Sequence, residues 1–322
     1  MILTYILRRT LIAIPLLLGI SLLTFFLMQV TPGNFFDTLK LNPQISTETI
    51  KRYEDLYHLN RPLLEQYFHW IKNLLKFDFG YSFFYNCPVS KVIYDRMFNT
   101  FILALASLVV TWFIAIPLGI WTAVRRNRFV DRFFSFVSFA ALSIPSFFLA
   151  IVLLYALSQF EILPLGGMYS ANYEELKGFG KFIDLLKHLL IPTLAISLAS
   201  IAALQRIMRG NMLDVLRQQY ILSARAKGLP ENKVIYRHAL RNAINPLVTI
   251  FGYHLSDLLS GAALIEIICN WPGLGTVMLT AVRAKDLYLV MTSMVMGGIL
   301  LLLGNLIADI LLSLVDPRIR YD

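Results

Sequence analysis

This chain is short of charge. Asp, Glu, Lys and Arg make up only 15% of its 322 residues, while 57% are hydrophobic. A water-soluble domain carries about 25% charge, so a fold solvated on all sides is excluded. Cysteine is scarce too. Cys87 and Cys269 are the only two, too few for a disulfide framework, and they read as small apolar residues rather than a bonded pair. Catalytic signatures are missing: there is no G-x-x-x-x-G-K-[ST] phosphate loop, no H-E-x-x-H and no G-x-S-x-G. The five histidines fall at no metal-ligand spacing. Nothing in the chain is set up to hydrolyse a substrate, so it is expected not to be an enzyme and to hold no metal. The net charge of +9 reports topology before it reports nucleic acid in so apolar a protein, and no nucleic-acid partner is expected.

What is present is length in apolar runs. Six stretches, roughly 10–30, 100–124, 133–160, 188–208, 246–268 and 288–314, each supply about 20 apolar residues, enough to cross a bilayer core. The first follows Arg8-Arg9 like a signal peptide, but its run is too long and "MQVTPGN" offers no small-residue cleavage site. It is read as an uncleaved span. Loop 125–132 carries four Arg, and 206–241 carries eight Lys/Arg against Asp214 and Glu231. Loop 161–187 has three Lys with four acids. The positive-inside rule therefore places both termini and the 206–241 segment in the cytoplasm. Loop 31–96 would then lie outside. Its "STETIKRYEDLYHL" and "NRPLLEQYFHWIKNLL" repeat apolar residues at helical spacing, with Ile50, Tyr53, Leu56 and Tyr57 in the first. Leu64, Tyr67, Phe68, Ile71, Leu74 and Leu75 form the second stripe. Together they predict a small helical insertion on the outer membrane surface, serving as a packing cap or a docking surface.

The cytoplasmic segment "SARAKGLPENKVIYRHALRNA" (223–243) sets five Lys/Arg against one Glu and is cut by Gly228-Leu229-Pro230. In the run before it, Met212, Leu213, Leu216, Tyr220 and Ala224 fall on one helical stripe. Gly228 fits the C′ stop, where a left-handed residue is needed, and Pro230 follows it. A second helix starts at "PENK", with Glu231 in its first turn and Val234, Ile235, Ala239 and Leu240 on its apolar face. Two readings stay open: a knob for a protein partner, or a helix pair lying on anionic headgroups. Within the spans, Asp257 lies mid-membrane with His254 and Ser260 a helical turn either way. A buried acid there needs a partner or a wet cavity, so these three are candidates for a translocation path or for structural pairing. Pro117, Pro145 and Pro192 interrupt spans two to four, and kinks are expected there.

The hairpin is similar to the cytoplasmic "E-A-A-x3-G" loop of integral subunits of ATP-binding-cassette importers. "MLDVLRQQYILSARAKGLPENKVIYRHALRNAINPLVTIFG" resembles more closely the B-type permease subunit of the oligopeptide/dipeptide/nickel family. "YILRRTLIAIPLLLGISLLTFFLMQVTPGN", "NLLKFDFGYSF", "WPGLG" and "GNLIADILLSLVDPRIRY" extend the likeness end to end. Ala224 and Gly228 match the second Ala and the Gly of the loop. Leu222 and Ser223 stand at its first two letters, and "HALR" (238–241) replaces a later I-x-L-P, departures that the B-type branch shares.

The resemblance implies an all-α membrane protein of the type I ABC importer fold. It would have a first helix at 1–30, an extracytoplasmic helical insertion at 31–96 and a transmembrane domain at 97–322, with a coupling loop at about 209–243. It implies a pore subunit in a prokaryotic cytoplasmic membrane, importing di- or oligopeptides by alternating access. Its partners would be a second, related permease, two cytoplasmic ATPases that bind ATP and Mg, a substrate-binding protein outside, and membrane lipid; this chain itself would hold no cofactor. Ser223, Ala224, Arg225, Ala226, Lys227, Gly228, Leu229, Pro230, Val234 and His238 are the coupling residues it implies. An ion-coupled secondary transporter, which would need midplane carboxylates and inverted repeats, and a non-transporting scaffold are the other function classes.

Overall fold

The computed structural model describes residues 2–33, 35–40, 47–56, 59–160, 163–247, 250–251, 254 and 262–315. They are almost wholly helical. Four helices are long and apolar enough to cross a membrane: α1 (Ile2–Val30), α5 (Val89–Val124), α8 (Phe179–Leu216) and the last, α13 (Leu287–Val315). Between them run α2 (Phe35–Lys40), α3 (Thr47–Leu56), α4 (Leu63–Leu74), α6 (Phe129–Ser143) and α7 (Ser146–Ser158). After α8 come α9 (Gln219–Ala226) and α10 (residues 231–243), then α11 (Ala263–Ile268) and α12 (Leu274–Ala284). A two-residue hairpin pairs Tyr81–Ser82 (β1) with Cys87–Pro88 (β2).

The expected third span is two helices, α6 and α7, meeting at 105°. Proline chemistry makes the corner. Pro145 forces Ile144 into an extended conformation (φ −97°, ψ 123°), and in the last turn of α6 the Ser143 hydroxyl donates to the Phe139 carbonyl at 2.9 Å. Pro117 and Pro192 behave differently: α5 and α8 continue as helix through them. About half of the expected fifth span, 246–268, lies outside the described residues, and helix is recorded over Ala263–Ile268.

Two compact units emerge. The first is built chiefly on Phe101–Trp271, with α8 as its spine against α6 and α7. At 38 residues, α8 is about 57 Å long, well beyond the ~30 Å hydrocarbon core, so one end must project. Gly119 on α5 lies against α8. A Cβ there would sit 2.7 Å from Met208 Cβ and 3.0 Å from the Gln205 carbonyl. This is the small-residue crossing typical of membrane helices. Leu103, Ile191, Ile265 and Trp271 centre one apolar core, and Ile120, Leu204, Met208 and Met212 the other. Both cysteines are free, and Cys269 is buried.

The second unit takes in Leu3–Thr100 and Pro272–Leu302. The helices expected in the 31–96 loop are present as α3 and α4. The α4 stripe is rotated from the expected one. Tyr67 and Trp70 are buried against Phe25, Met291 and Val295, while Leu64, Phe68 and Leu75 are exposed. The Tyr67 hydroxyl fixes this face, sharing a hydrogen bond with Ser21 Oγ at 2.9 Å. Asp286 sits fully buried just before α13. Its Oδ2 accepts from the Ser82 hydroxyl (2.7 Å) and the Phe84 amide (3.0 Å), tying the β1–β2 turn to the head of α13.

Candidate functional site

The hairpin α9–α10 is built as its glycine demands. Gly228 has φ +73°, the left-handed conformation that favours glycine. The Gly228 amide donates to the Arg225 carbonyl at 2.9 Å and the Leu229 amide to the Ala224 carbonyl at 3.4 Å. Those two bonds are the Schellman pattern, which satisfies the orphan carbonyls of a helix end. Pro230 then opens α10. Across the break Arg225 grips Glu231 with two hydrogen bonds, 3.2 Å from Nε and 2.6 Å from Nη2. Glu231, expected to serve the helix dipole, also braces the angle between the helices.

The lead-in differs from the expected single helix. α8 ends at Leu216, where the Arg217 and Gln218 amides turn back to carbonyls three residues earlier. Gln218 goes extended (ψ 146°) before α9 begins. This break slips the stripe by one residue: Ile221 is fully buried and Tyr220, expected on the inner face, is 43% exposed. No glycine or proline in "LRQQY" announces it. α10 opens as helix over Glu231–Lys233, widens into a π-helix over Val234–Ala239 and closes over Leu240–Ala243. The wide turn puts Val234 and Ala239, five apart, on one side, and both are fully buried. They pack with Ile221, Met208 and Met212. Asn211 Nδ2 reaches the Ala243 carbonyl at 3.2 Å, and Asn242 Nδ2 the Tyr220 hydroxyl at 2.7 Å.

Of the ten residues the sequence nominates in the hairpin, Ser223, Arg225, Ala226, Lys227, Gly228 and Pro230 are exposed, and Leu229 and His238 are half-buried. Ala224 and Val234 are buried and hold the hairpin together from inside. Two further hairpin residues are exposed, Tyr236 (60%) and Leu222 (46%).

Inside the span region the outcome is uneven. His254 is half-buried, its ring 6.3 Å from that of Trp112, whereas Asp257 and Ser260 lie outside the described residues. Other polar groups are joined that no periodicity marked. Gln205, fully buried, donates to the Thr122 hydroxyl (2.9 Å) and accepts from the Ser138 hydroxyl (3.1 Å), linking α5, α6 and α8. One turn further along α8, Arg209 binds Asp131 through two hydrogen bonds of 2.6 and 2.8 Å. The other Asp131 contact is the Asn127 amide, 2.9 Å from Oδ2. This bidentate pair fixes the start of α6 to the stalk that carries the hairpin.

Residues 115–321 match the family described as binding-protein-dependent transport system inner membrane component. The chain belongs to that family. Residues 2–104 match the companion family, binding-protein-dependent transport system membrane component, N-terminal, so the permease is covered almost end to end. It is 41% identical over 319 residues, 98% of this chain and 99% of the other, to the oligopeptide transport system permease protein AppB of Bacillus subtilis (strain 168). It is 35% identical over 317 residues, 98% and 99% of the two chains, to the dipeptide transport system permease protein DppB of Lactococcus lactis subsp. cremoris (strain MG1363). As a permease component it forms the membrane part of a transport system and is not its catalytic subunit.

Proposed function

We propose that this permease lines the route by which di- or oligopeptides enter a prokaryotic cell through its cytoplasmic membrane. Full-length likeness to permease proteins of oligopeptide and dipeptide systems carries the reading. The pore is formed with a second, related permease. Six spans cross the membrane, with both termini and the α9–α10 hairpin in the cytoplasm and residues 31–96 outside. A binding protein delivers peptide from the outer side, and two cytoplasmic ATPases, holding ATP and Mg, drive alternating access. The hairpin docks into an ATPase cleft through Leu222, Tyr236 and the exposed residues from Ser223 to Pro230. His254, Asp257 and Ser260 line part of the peptide route.

The test is uptake of labelled peptide by the reconstituted complex in proteoliposomes. Uptake is expected to require ATP and to stop when the ATPases are left out. Peptide uptake by this chain alone on a proton or sodium gradient would overturn the reading in favour of a secondary transporter.

A further inference from the structure

A groove of about 510 Å³ runs between α6 and α8, lined by none of the hairpin's residues. It is amphiphilic along its length. α6 and α8 run in opposite directions along it, since Ser138 bonds Gln205 and the earlier Asp131 bonds the later Arg209, so the Leu142 end of its lining is apolar and the Arg209 end polar. Phe139, Leu142 and Ile207 form an apolar wall, each more than a third exposed. Arg206 lies in between, its guanidinium carbon 4.3 Å from the centre of the Phe139 ring. That stacking holds the cation in place while leaving its N–H donors open at the rim.

The charge in the groove is unbalanced. Arg209 is committed to Asp131, whereas no carboxylate of the described residues pairs with Arg206. Arg125, Arg126, Arg128 and Arg132 stand on and beside the turn that opens α6, with Asp131 the only acid among them. A fixed guanidinium above an exposed apolar trough matches a phosphate head joined to an acyl chain. Basic pockets between helices at the cytoplasmic leaflet select anionic headgroups.

We propose that the α6–α8 groove is a binding site for an anionic phospholipid of the inner leaflet. Its phosphate is held by Arg206 and Ser135, and one acyl chain lies along Phe139, Leu142 and Ile207. The site rests on the orientation proposed above, which puts this end of α8 on the cytoplasmic side.

The experiment is native mass spectrometry of the whole assembled complex, released from nanodiscs of matched phosphatidylglycerol and phosphatidylcholine. Parent complex is expected to retain phosphatidylglycerol in preference to phosphatidylcholine. Arg206→Gln should reduce that preference by about fivefold, the equivalent of one basic group at a membrane surface, and Arg206→Lys should keep most of it. Leu142→Trp, which fills the apolar end, should reduce both lipids alike. Only assembled complex is scored, so poor folding cannot imitate the result. Equal phosphatidylglycerol retention in parent and Arg206→Gln overturns the proposal. So does displacement of the lipid by peptide, which assigns the groove to the cargo route, or cross-linking of Ile207→Cys to the second permease in a lipid-free parent, which assigns it to the subunit contact. Lipid counting does not depend on sidedness, so an error in orientation shows separately, in thiol labelling.

Discussion

Single residues set the sharpest tests. Gly228 has open space around the position a Cβ would take, so its substitution meets only backbone strain, at φ +73°. Gly228→Ala is expected to cost about 1 kcal/mol, and Gly228→Val more, because a β-branched residue rarely takes positive φ. The site lies outside the spans, so membrane levels should hold while ATPase capture or the coupling of hydrolysis to uptake falls. Paired pull-down and proteoliposome assays read this, and a Gly228→Val complex that behaves like its parent refutes the hinge. The Arg225–Glu231 pair is exposed, and Glu231→Gln should change stability by only about 0.5 kcal/mol. Asp286 is the opposite case. Burial raises its pKa, against the pull of its hydrogen bonds from Ser82 and the backbone. A raised acid binds its proton more tightly when folded. Its stabilising contribution is therefore complete below the unfolded value, about 3.9, and is lost as pH rises through the folded one. A plot of Tm against pH should decline across that window for the parent and flatten for Asp286→Asn. Parallel curves refute it.

Helices meet through features that no single residue reveals. At Gly119 the clash a side chain would meet is with Met208 Cβ and the Gln205 backbone, not with a flexible tip. Gly119→Val should therefore destabilise by about 1–3 kcal/mol through overpacking and lower the yield of folded permease. Met208→Ala in the same chain should recover part of that loss but not all, since the Gln205 carbonyl stays. Thermal unfolding in detergent measures both, and a neutral Gly119→Val means that the helices do not cross there. The Asp131–Arg209 bond joins α6 to α8 with the acid almost sealed from solvent. Arg209→Gln leaves that acid without its cation and should cost about 3–5 kcal/mol, seen as loss of assembled protein.

For the whole molecule, sidedness decides which surfaces can meet ATPases, binding protein or lipid. With the hairpin in the cytoplasm, Arg126→Cys and Glu231→Cys should resist impermeant thiol reagents in intact cells, while Glu174→Cys should react. All three side chains are exposed, so the difference reads membrane position and not burial. Labelling of Glu231→Cys from outside would reverse the orientation and remove the coupling role with it.

The amino-acid sequence by itself determined what depends on local chemistry. Four of the six expected apolar runs are helices of spanning length, because twenty consecutive apolar residues have few other stable arrangements in or out of lipid. Gly228 ends its helix in the left-handed form because the Gly-Leu-Pro order admits little else, and the apolar repeat of "NRPLLEQYFHWIKNLL" is helix from Leu63. Tertiary structure decided what depends on a neighbour. Periodicity defines a stripe but not the surface it meets, so α4 turned Trp70 inward and left Phe68 out. Nothing local breaks the chain at Arg217–Gln218. Packing Ile221 against Met208 and Met212 does, and it moves Tyr220 to the surface. Pro145 stands at the corner between α6 and α7, whereas α5 and α8 continue as helix through Pro117 and Pro192. Gln205, Thr122 and Ser138 are far apart in the chain and unremarkable in composition, and only the crossing of three helices makes them one buried network.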